Sequence, residues 1–208
     1  MIRKTAADFF AGIGLVSYGL SLSCWLTYYA VDHSFDKRRV YAANFDPKHY
    51  QCADIATISG SDMPRVTLAH ASFPCTDTSL AGARRGIDSG ESAAFWDFAR
   101  ILSEIQMEDS SQLPPIIMLE NESGLLSSGG GKDIVEILTQ LNNLGYFVDV
   151  LQIDAARFVP QSRVRLFIIG NRAVAPPVRE LDLRELLTES SDARPKRVRD
   201  LILDNPQN

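Results

Sequence analysis

A cysteine and a glutamate each follow directly after an apolar run of the sequence. Phe73-Pro74-Cys75 comes after Val66 to Ala71, and Glu120-Asn121 comes after Ile116 to Leu119. A single cysteine is more often a small buried residue than a nucleophile. A thiol beside a carboxylic acid, however, can attack an electron-poor ring covalently while the acid protonates a ring nitrogen. The pattern makes Cys75 and Glu120 candidates for one reactive site, provided that the two runs are neighbouring strands.

A glycine turn and a later acid point to a nucleoside-containing cofactor. The segment Asp8 to Gly14 is typical of a strand, Thr5 to Phe10, that leads into a Gly-x-Gly turn at the start of a helix. Asp32 stands 18 residues after Gly14, at the end of a second predicted strand, Trp25 to Val31. A carboxylate at that place can accept hydrogen bonds from both hydroxyls of a ribose. Because the fuller GxGxxG pattern is missing, the turn favours an adenosine-containing cofactor over a dinucleotide.

These residues need a scaffold in which strands and helices alternate. Helical periodicity predicts helices from Leu15 to Cys24 and from Ala93 to Ile105, and Asp36 is predicted to cap another that runs to about Asn44. Alternation of this kind predicts an α/β fold with a doubly wound, mainly parallel sheet, which binds ligands at the carboxyl ends of its strands. The remaining predicted elements are strands at Val66 to Ala71 and Ile116 to Leu119, a helix at Asp133 to Leu144, and late strands at Phe147 to Ile153 and Arg165 to Ile169.

Length and composition place the chain among ordinary globular proteins. Its 208 residues, 45% hydrophobic and 23% charged, suit one domain with a sizeable core. No stretch reaches the roughly 18 apolar residues that a membrane span needs, and Asp8 interrupts the apolar run after the basic N-terminus, so we expect a cytoplasmic protein without a signal peptide. The three cysteines, Cys24, Cys52 and Cys75, form no CxxC pair, which predicts neither a disulfide framework nor a zinc site.

Charge is unevenly distributed along the sequence. The net charge is -5, but the stretch from Arg157 to Arg199 holds ten basic and only five acidic residues. That stretch is either a phosphate-binding region or a solvated mixed surface. A glycine-containing segment, Leu80 to Gly90, follows Cys75 and carries Arg84 and Arg85. Its composition predicts a lid that closes over a polyanion.

Six motifs of the sequence stand in the order found in the DNA (cytosine-5) methyltransferase family. Asp8 to Gly14 is similar to the family's DLFAGIGG, and Asp32 falls where the family has its ribose-binding acid. Asp54-Ile55 resembles the motif whose acid contacts the adenine amino group. The Pro-Cys motif, the Glu-Asn motif and a QxRxR motif at Gln161 to Arg165 complete the set. The sequence therefore resembles this family over about 160 residues.

The resemblance implies a Rossmann-like methyltransferase fold with a late antiparallel strand and no metal. It implies that Cys75 adds to C6 of a flipped-out cytosine, that Glu120 protonates N3, and that S-adenosylmethionine methylates C5 and becomes S-adenosylhomocysteine. Arg163 and Arg165 are expected to hold the cysteine loop and the base. The expected cofactor-binding residues are Asp8, Phe10, Ala11, Gly12, Ile13, Gly14, Asp32, His33, Asp54, Ile55 and Pro74, and the expected substrate-binding residues are Phe73, Ser79, Arg84, Asn121 and Gln161.

The sequence also departs from the family. Four motif positions differ without removing a reacting group, namely Leu15, His33, Thr76 and Glu122. After Arg165 the family's target-recognition domain and its closing motifs, RxLT…RLQGFP and QxGNS, are not found. The resemblance thus implies an N-terminal half, with residues 1–172 as the cofactor-binding and catalytic domain and residues 173–208 as a basic segment leading toward a recognition domain or a partner. DNA is the expected substrate, within restriction-modification, and a complementing polypeptide is an expected partner.

Three other functions remain open at this point. The same scaffold could methylate cytosine in transfer RNA instead of DNA. The chain could be a catalytically silent subunit that binds only a cofactor or a partner. A Rossmann oxidoreductase is the third alternative, against which the Pro-Cys and Glu-Asn motifs argue.

Overall fold

Seven strands form one sheet in the computed structural model, which describes residues 4–74 and 94–172. Their bounds are β1 Thr5–Phe9, β2 Leu26–Asp32, β3 Tyr50–Cys52, β4 Leu68–Ala71, β5 Ile116–Glu122, β6 Phe147–Asp154 and β7 Val164–Asn171. The order across the sheet is β3-β2-β1-β4-β5-β7-β6, and all pairs are parallel except those of β7 with β5 and β6. The predicted mainly parallel sheet with a late antiparallel strand is confirmed. Predictions for Cys75, Ser79, Arg84 and residues 173–208 lie outside the described residues.

Four helices of the described part connect these strands. They are α1 Leu15–Ser21, α2 Phe35–Ala42, α3 Ala94–Asp109 and α4 Lys132–Asn143. The predicted cap at Asp36 is wrong, because the side chain of Ser34 accepts the backbone N–H of Lys37 and begins α2. Within residues 4–74 and 94–172, none of the helices has the length and apolar character needed to cross a membrane.

The helices cover both faces of the sheet. On one face, Phe98 of α3 and Ile137 of α4 join a large apolar cluster with Phe9 of β1, and all three side chains are fully buried. The rings of Phe9 and Phe98 pack edge to face, with their centroids 5.1 Å apart. On the other face, Ala30 of β2 and Tyr41 of α2 belong to a separate, smaller cluster. Helices on both faces confirm the predicted doubly wound architecture.

The strand order reverses at β1, which lies between β2 and β4. Both neighbours run parallel to β1, so the carboxyl ends of the three strands meet at one edge. There the backbone N–H of Ser72, directly after β4, donates to the carbonyl of Phe9 at 3.3 Å. The glycine turn after β1 and the Phe73-Pro74 segment after β4 therefore lie side by side. A reversal of this kind is where open α/β sheets bind their ligands.

Candidate active site

A cavity of about 430 Å³ opens at this edge of the sheet. Six of the predicted cofactor-binding residues lie in its wall, and the start of α3 closes one side. A volume of this size suits a nucleoside-sized ligand. The described residues that line it are Phe10, Val31, Asp32, His33, Ala53, Asp54, Ile55, Ala56, Pro74, Ala94 and Asp97.

The glycine turn stands beside this cavity. Gly14, which precedes α1, has a φ of +91°, and a Cβ there would meet the rings of Tyr41 and Phe45 at 2.8 Å. Glycine is therefore required both for the backbone conformation and for close contact with α2. Of the remaining predicted turn residues, Phe10 lines the cavity in a left-handed conformation, with a φ of 60°. Ala11, Gly12 and Ile13 belong to the same turn but are not among the lining residues.

Two side chains hold the carbonyl and amide of Gly12. The Gly12 N–H donates to Oδ2 of Asp32 at 3.1 Å, and the Tyr50 hydroxyl donates to the Gly12 carbonyl at 3.2 Å. Burial and, after it, the charge of Asp32 raise the pKa of Tyr50, so the hydroxyl keeps the proton that it donates. The turn is thus fixed by β2 and β3 before any ligand binds.

Asp32 presents a nearly buried carboxylate to the cavity. Besides the Gly12 N–H, it accepts the Ser34 N–H on Oδ1 at 2.9 Å. The ammonium group of Lys37 lies 3.3 Å from Oδ2. Lys37 was not among the site residues predicted from the sequence, although it lies in the first turn of the helix that follows Asp32. These partners hold the Asp32 carboxylate in a fixed orientation at the end of β2.

Asp8 was predicted to bind the cofactor, but its side chain is fully buried and is not among those that line the cavity. Its Oδ1 lies 2.9 Å from Nδ1 of His70, and its Oδ2 accepts the Ser17 hydroxyl at 3.2 Å. Asp8 and His70 are register partners on β1 and β4. Alternation along β1 directs Asp8 to the sheet face opposite Phe9, where it anchors α1 beneath the glycine turn.

Asp54 begins the short helical turn Ile55–Thr57. Its Oδ1 accepts the Ala56 N–H at 3.0 Å, and the Thr57 hydroxyl donates to the Asp54 carbonyl at 2.8 Å. Ile55 lines the cavity and is almost completely buried. This turn therefore offers the cavity a carboxylate and an apolar surface together. Parallel pairing of β2 with β3 aligns Asp32 with Cys52, and the exposed imidazole of His33, just after Asp32, lies at the same cavity.

Glu120 lies at the carboxyl end of β5 between two partners. Its Oε2 accepts the Ser72 hydroxyl at 2.5 Å, and its Oε1 lies 3.0 Å from Nε of Arg165. The antiparallel register places Arg165 opposite Glu122, to which its Nη2 extends at 3.4 Å. One guanidinium therefore lies between the two carboxylates and contacts both. Ser72 was missed by the sequence prediction, although it stands next to the Pro-Cys motif.

Asn121 supports the Phe73-Pro74 segment. Its buried side-chain amide donates to the carbonyl of Phe73 at 3.2 Å. The Phe73 side chain is itself buried and contacts the ring of Phe95, with centroids 5.7 Å apart. Pro74 lines the cavity. The structure thus brings the Phe73-Pro74 segment, Glu120 and the cofactor cavity to one edge of the sheet.

The other two residues of the QxRxR motif do not line the cavity. Gln161 and Arg163 are exposed in the β6–β7 loop and are not among the cavity-lining residues. Asp154 holds this loop by accepting the backbone N–H groups of Ala156 and Arg163 at 3.0 and 2.8 Å. These donors, with the Ser162 hydroxyl, lower the pKa of Asp154. Of the motif, only Arg165 reaches Glu120 in the described residues.

Comparison with known proteins agrees with this arrangement. Over 170 residues the chain is 32% identical to the type II methyltransferase M.BsuFI of Bacillus subtilis, a match that covers 81% of this chain and 39% of the relative. Over 195 residues it is 30% identical to M.NgoBI of Neisseria gonorrhoeae, which covers 90% of this chain and 59% of the relative. The chain therefore spans less than two thirds of the length of either relative.

Solved structures show the same fold. Dnmt2 methyltransferase of S. pombe superposes with a TM-score of 0.66 at 22% identity, over 91% of this chain and 57% of that one. The methyltransferase EhMeth of Entamoeba histolytica superposes with a TM-score of 0.61 at 19% identity, over 84% of this chain and 54% of that one. The family model described as C-5 cytosine-specific DNA methylase matches residues 5–207. The chain belongs to the C-5 cytosine-specific DNA methylase family.

Proposed function

We propose that this chain is the cofactor-binding and catalytic part of an enzyme that methylates C5 of cytosine in DNA. The observation that carries the proposal is the placement of Glu120, held by Ser72 and Arg165 beside the Phe73-Pro74 segment. This arrangement places the Glu120 carboxyl group close to the segment at which the Pro-Cys motif begins. It suits covalent attack on a base that has left the duplex, because the reacting atoms cannot be reached inside the stack.

The cavity fits S-adenosylmethionine in size and in chemistry. Its volume of about 430 Å³ lies within the range of cofactor sites. Asp32 offers an oriented carboxylate for ribose hydroxyls, and Asp54 offers a second acid next to the buried Ile55 for an adenine ring. When bound, this cofactor supplies an electrophilic methyl group.

The chain's own residues account for the remaining chemistry. We propose that the Cys75 thiolate adds to C6 of the cytosine while Glu120 gives a proton to N3, which makes C5 nucleophilic. After C5 is methylated, a water molecule takes the C5 proton, N3 returns its proton to Glu120, and the bond to Cys75 breaks, which restores the aromatic ring and the thiolate. Arg165 keeps the Glu120 carboxyl in place throughout. The task of the protein is orientation and electrostatics.

Asp32→Ala is expected to weaken S-adenosylmethionine binding by roughly 1.5–3 kcal/mol, the scale of a lost hydrogen bond to a charged group. Isothermal calorimetry measures the difference directly. Asp46→Ala is the matched control, because Asp46 also accepts the backbone N–H two residues further along and pairs with a lysine, but is not among the cavity-lining residues. Equal affinities of wild type and Asp32→Ala for S-adenosylmethionine would show that Asp32 has only a structural role.

The function is tested by trapping the covalent adduct. We expect the chain, incubated with S-adenosylmethionine and duplex DNA containing 5-fluorocytosine, to form a complex that survives a denaturing gel. Fluorine at C5 cannot leave as a proton does, so the Cys75 bond persists and even slow turnover accumulates product. Transfer RNA containing 5-fluorocytosine is the second substrate in the same assay.

The outcomes separate the alternatives. A complex with DNA supports the proposal, whereas a complex with transfer RNA alone assigns the chain to RNA. Absence of any complex even after a polypeptide that carries the DNA-reading part is added, with cofactor binding intact, makes the chain a silent binding subunit. Tight binding of a nicotinamide cofactor instead of S-adenosylmethionine would indicate an oxidoreductase.

An exposed apolar face on α1 supports a role for further sequence. Leu15, Tyr18 and Leu22 share one side of this helix and are 72%, 57% and 71% exposed. Large apolar side chains grouped on a surface mark contact sites. We propose that sequence beyond these 208 residues, on the same or a complementing polypeptide, covers this face and supplies the part that reads DNA.

A further inference from the structure

Arg100 of α3 binds the cavity wall that contains Asp54. Its Nη2 donates to the carbonyls of Ile55 and Ala56 at 3.1 and 3.4 Å, and its Nη1 donates to the carbonyl of Ile58 at 3.0 Å. Three carbonyls of one short turn therefore point at one guanidinium. The planar fork of arginine allows this, whereas the ammonium of lysine is a single point charge.

Glu104 extends the same contact by one helical turn. Its Oε1 lies 2.7 Å from Nη1 of Arg100, and its Oε2 accepts the backbone N–H of Gly60 at 2.7 Å. The Gly60 N–H and then Arg100 lower the pKa of Glu104, so the carboxylate stays charged. Gly60 lies so close to α3 that a Cβ would meet the Cβ of Glu104 at 2.9 Å. Arg100 and Glu104 together tie residues 55–60 to α3, and we name this pair the α3 clamp.

The α3 clamp joins two walls of the same cavity. Asp54, Ile55 and Ala56 form one wall, and Ala94 and Asp97 of α3 form another. Nε of Arg100 lies 3.5 Å from Oδ1 of Asp97, while its other nitrogens hold the opposite wall. The two walls are therefore joined by a side chain that does not line the cavity itself.

We propose that Arg100 is a positioning residue that sets the separation of these walls and thereby the affinity for the adenosine part of the cofactor. The inference rests on the proposed cofactor site. Without the guanidinium, three carbonyls lose a charged donor, and the Asp54 turn is free to move away from α3. A wall that must be ordered by the ligand binds it more weakly than one that is already ordered.

The test measures binding of S-adenosylhomocysteine and 5′-methylthioadenosine by calorimetry at 10 °C. We expect Arg100→Met to weaken both ligands by the same factor, roughly tenfold, the scale of one lost charge-assisted hydrogen bond. Arg100→Lys is expected to recover only part of the affinity. Arg39→Met is the control, because Arg39 makes an exposed ion pair with Asp36 at the same i,i+3 spacing. Hydrogen exchange is expected to quicken at the Gly60 amide in Arg100→Met without any ligand.

Each outcome decides the matter. Unchanged dissociation constants in Arg100→Met, with only a lower denaturation midpoint, would reduce Arg100 to a structural role and overturn the inference. If Arg100→Met does not fold, Glu104→Gln takes its place, with a smaller loss for both ligands expected and no loss counting against the inference. Failure of the wild-type chain to bind either ligand would instead overturn the proposed cofactor site.

Discussion

Replacing Cys75 by alanine is expected to lower methyl transfer at least about 10³-fold, because the variant lacks the thiolate that is proposed to form the bond to C6 of the base. The dissociation constant for S-adenosylhomocysteine should stay within about twofold of the wild-type value, since Asp32, Asp54 and the glycine turn are untouched. Transfer of a radiolabelled methyl group to mixed-sequence duplex DNA measures the first quantity. Calorimetry measures the second.

Cys52→Ala is the control for this experiment. The Cys52 thiol is exposed at the end of β3 and lies 3.6 Å from the carbonyl of His33, close to the cavity mouth. It therefore tests whether loss of any thiol near the site has the same effect. Methylation at a near wild-type rate in Cys75→Ala would refute the assignment of Cys75 as the nucleophile. An equal loss of methylation in Cys52→Ala would show that the effect is not specific to Cys75.

Glu120→Gln is expected to lower methyl transfer by roughly 10²–10⁴-fold, the usual contribution of a general acid. Glutamine keeps the shape of the side chain and can still accept the Ser72 hydroxyl, so the Phe73-Pro74 segment should keep its place. What the variant lacks is the proton for N3 of the base. The measurement is the single-turnover rate of methyl transfer at saturating S-adenosylmethionine, which removes any effect on cofactor affinity.

Glu122→Gln provides a closely matched comparison. Glu122 follows on the same sheet face and shares Arg165 with Glu120, but its side chain is 46% exposed. An ion pair of that kind contributes under about 1 kcal/mol, so the rate should fall by no more than about fivefold. Similar losses in Glu120→Gln and Glu122→Gln would mean that the charge around Arg165, rather than a proton from Glu120, supports the reaction.

The local pattern of apolar residues in the sequence predicts most of the helices and strands but fails where a segment is short. The apolar run at β5 and the helical period of α3 predicted those elements because burial against the opposite layer demands apolar residues at fixed spacing. β3 was not predicted, since it has only three residues and two of them are exposed. Its Tyr50 nonetheless holds the Gly12 carbonyl.

The sequence by itself determined the fold class, the family and the identity of the proposed reacting groups, because motif order and hydrophobic period are properties of the chain. The direction of each side chain was decided by tertiary structure. Ser72 and Glu120 are 48 residues apart and meet only because β4 and β5 pair in parallel. Arg165 reaches Glu120 because β7 inserts antiparallel beside β5, while strand alternation directs Asp8 into the core and not into the cavity. Register depends on contacts between distant segments, which no local pattern of residues specifies.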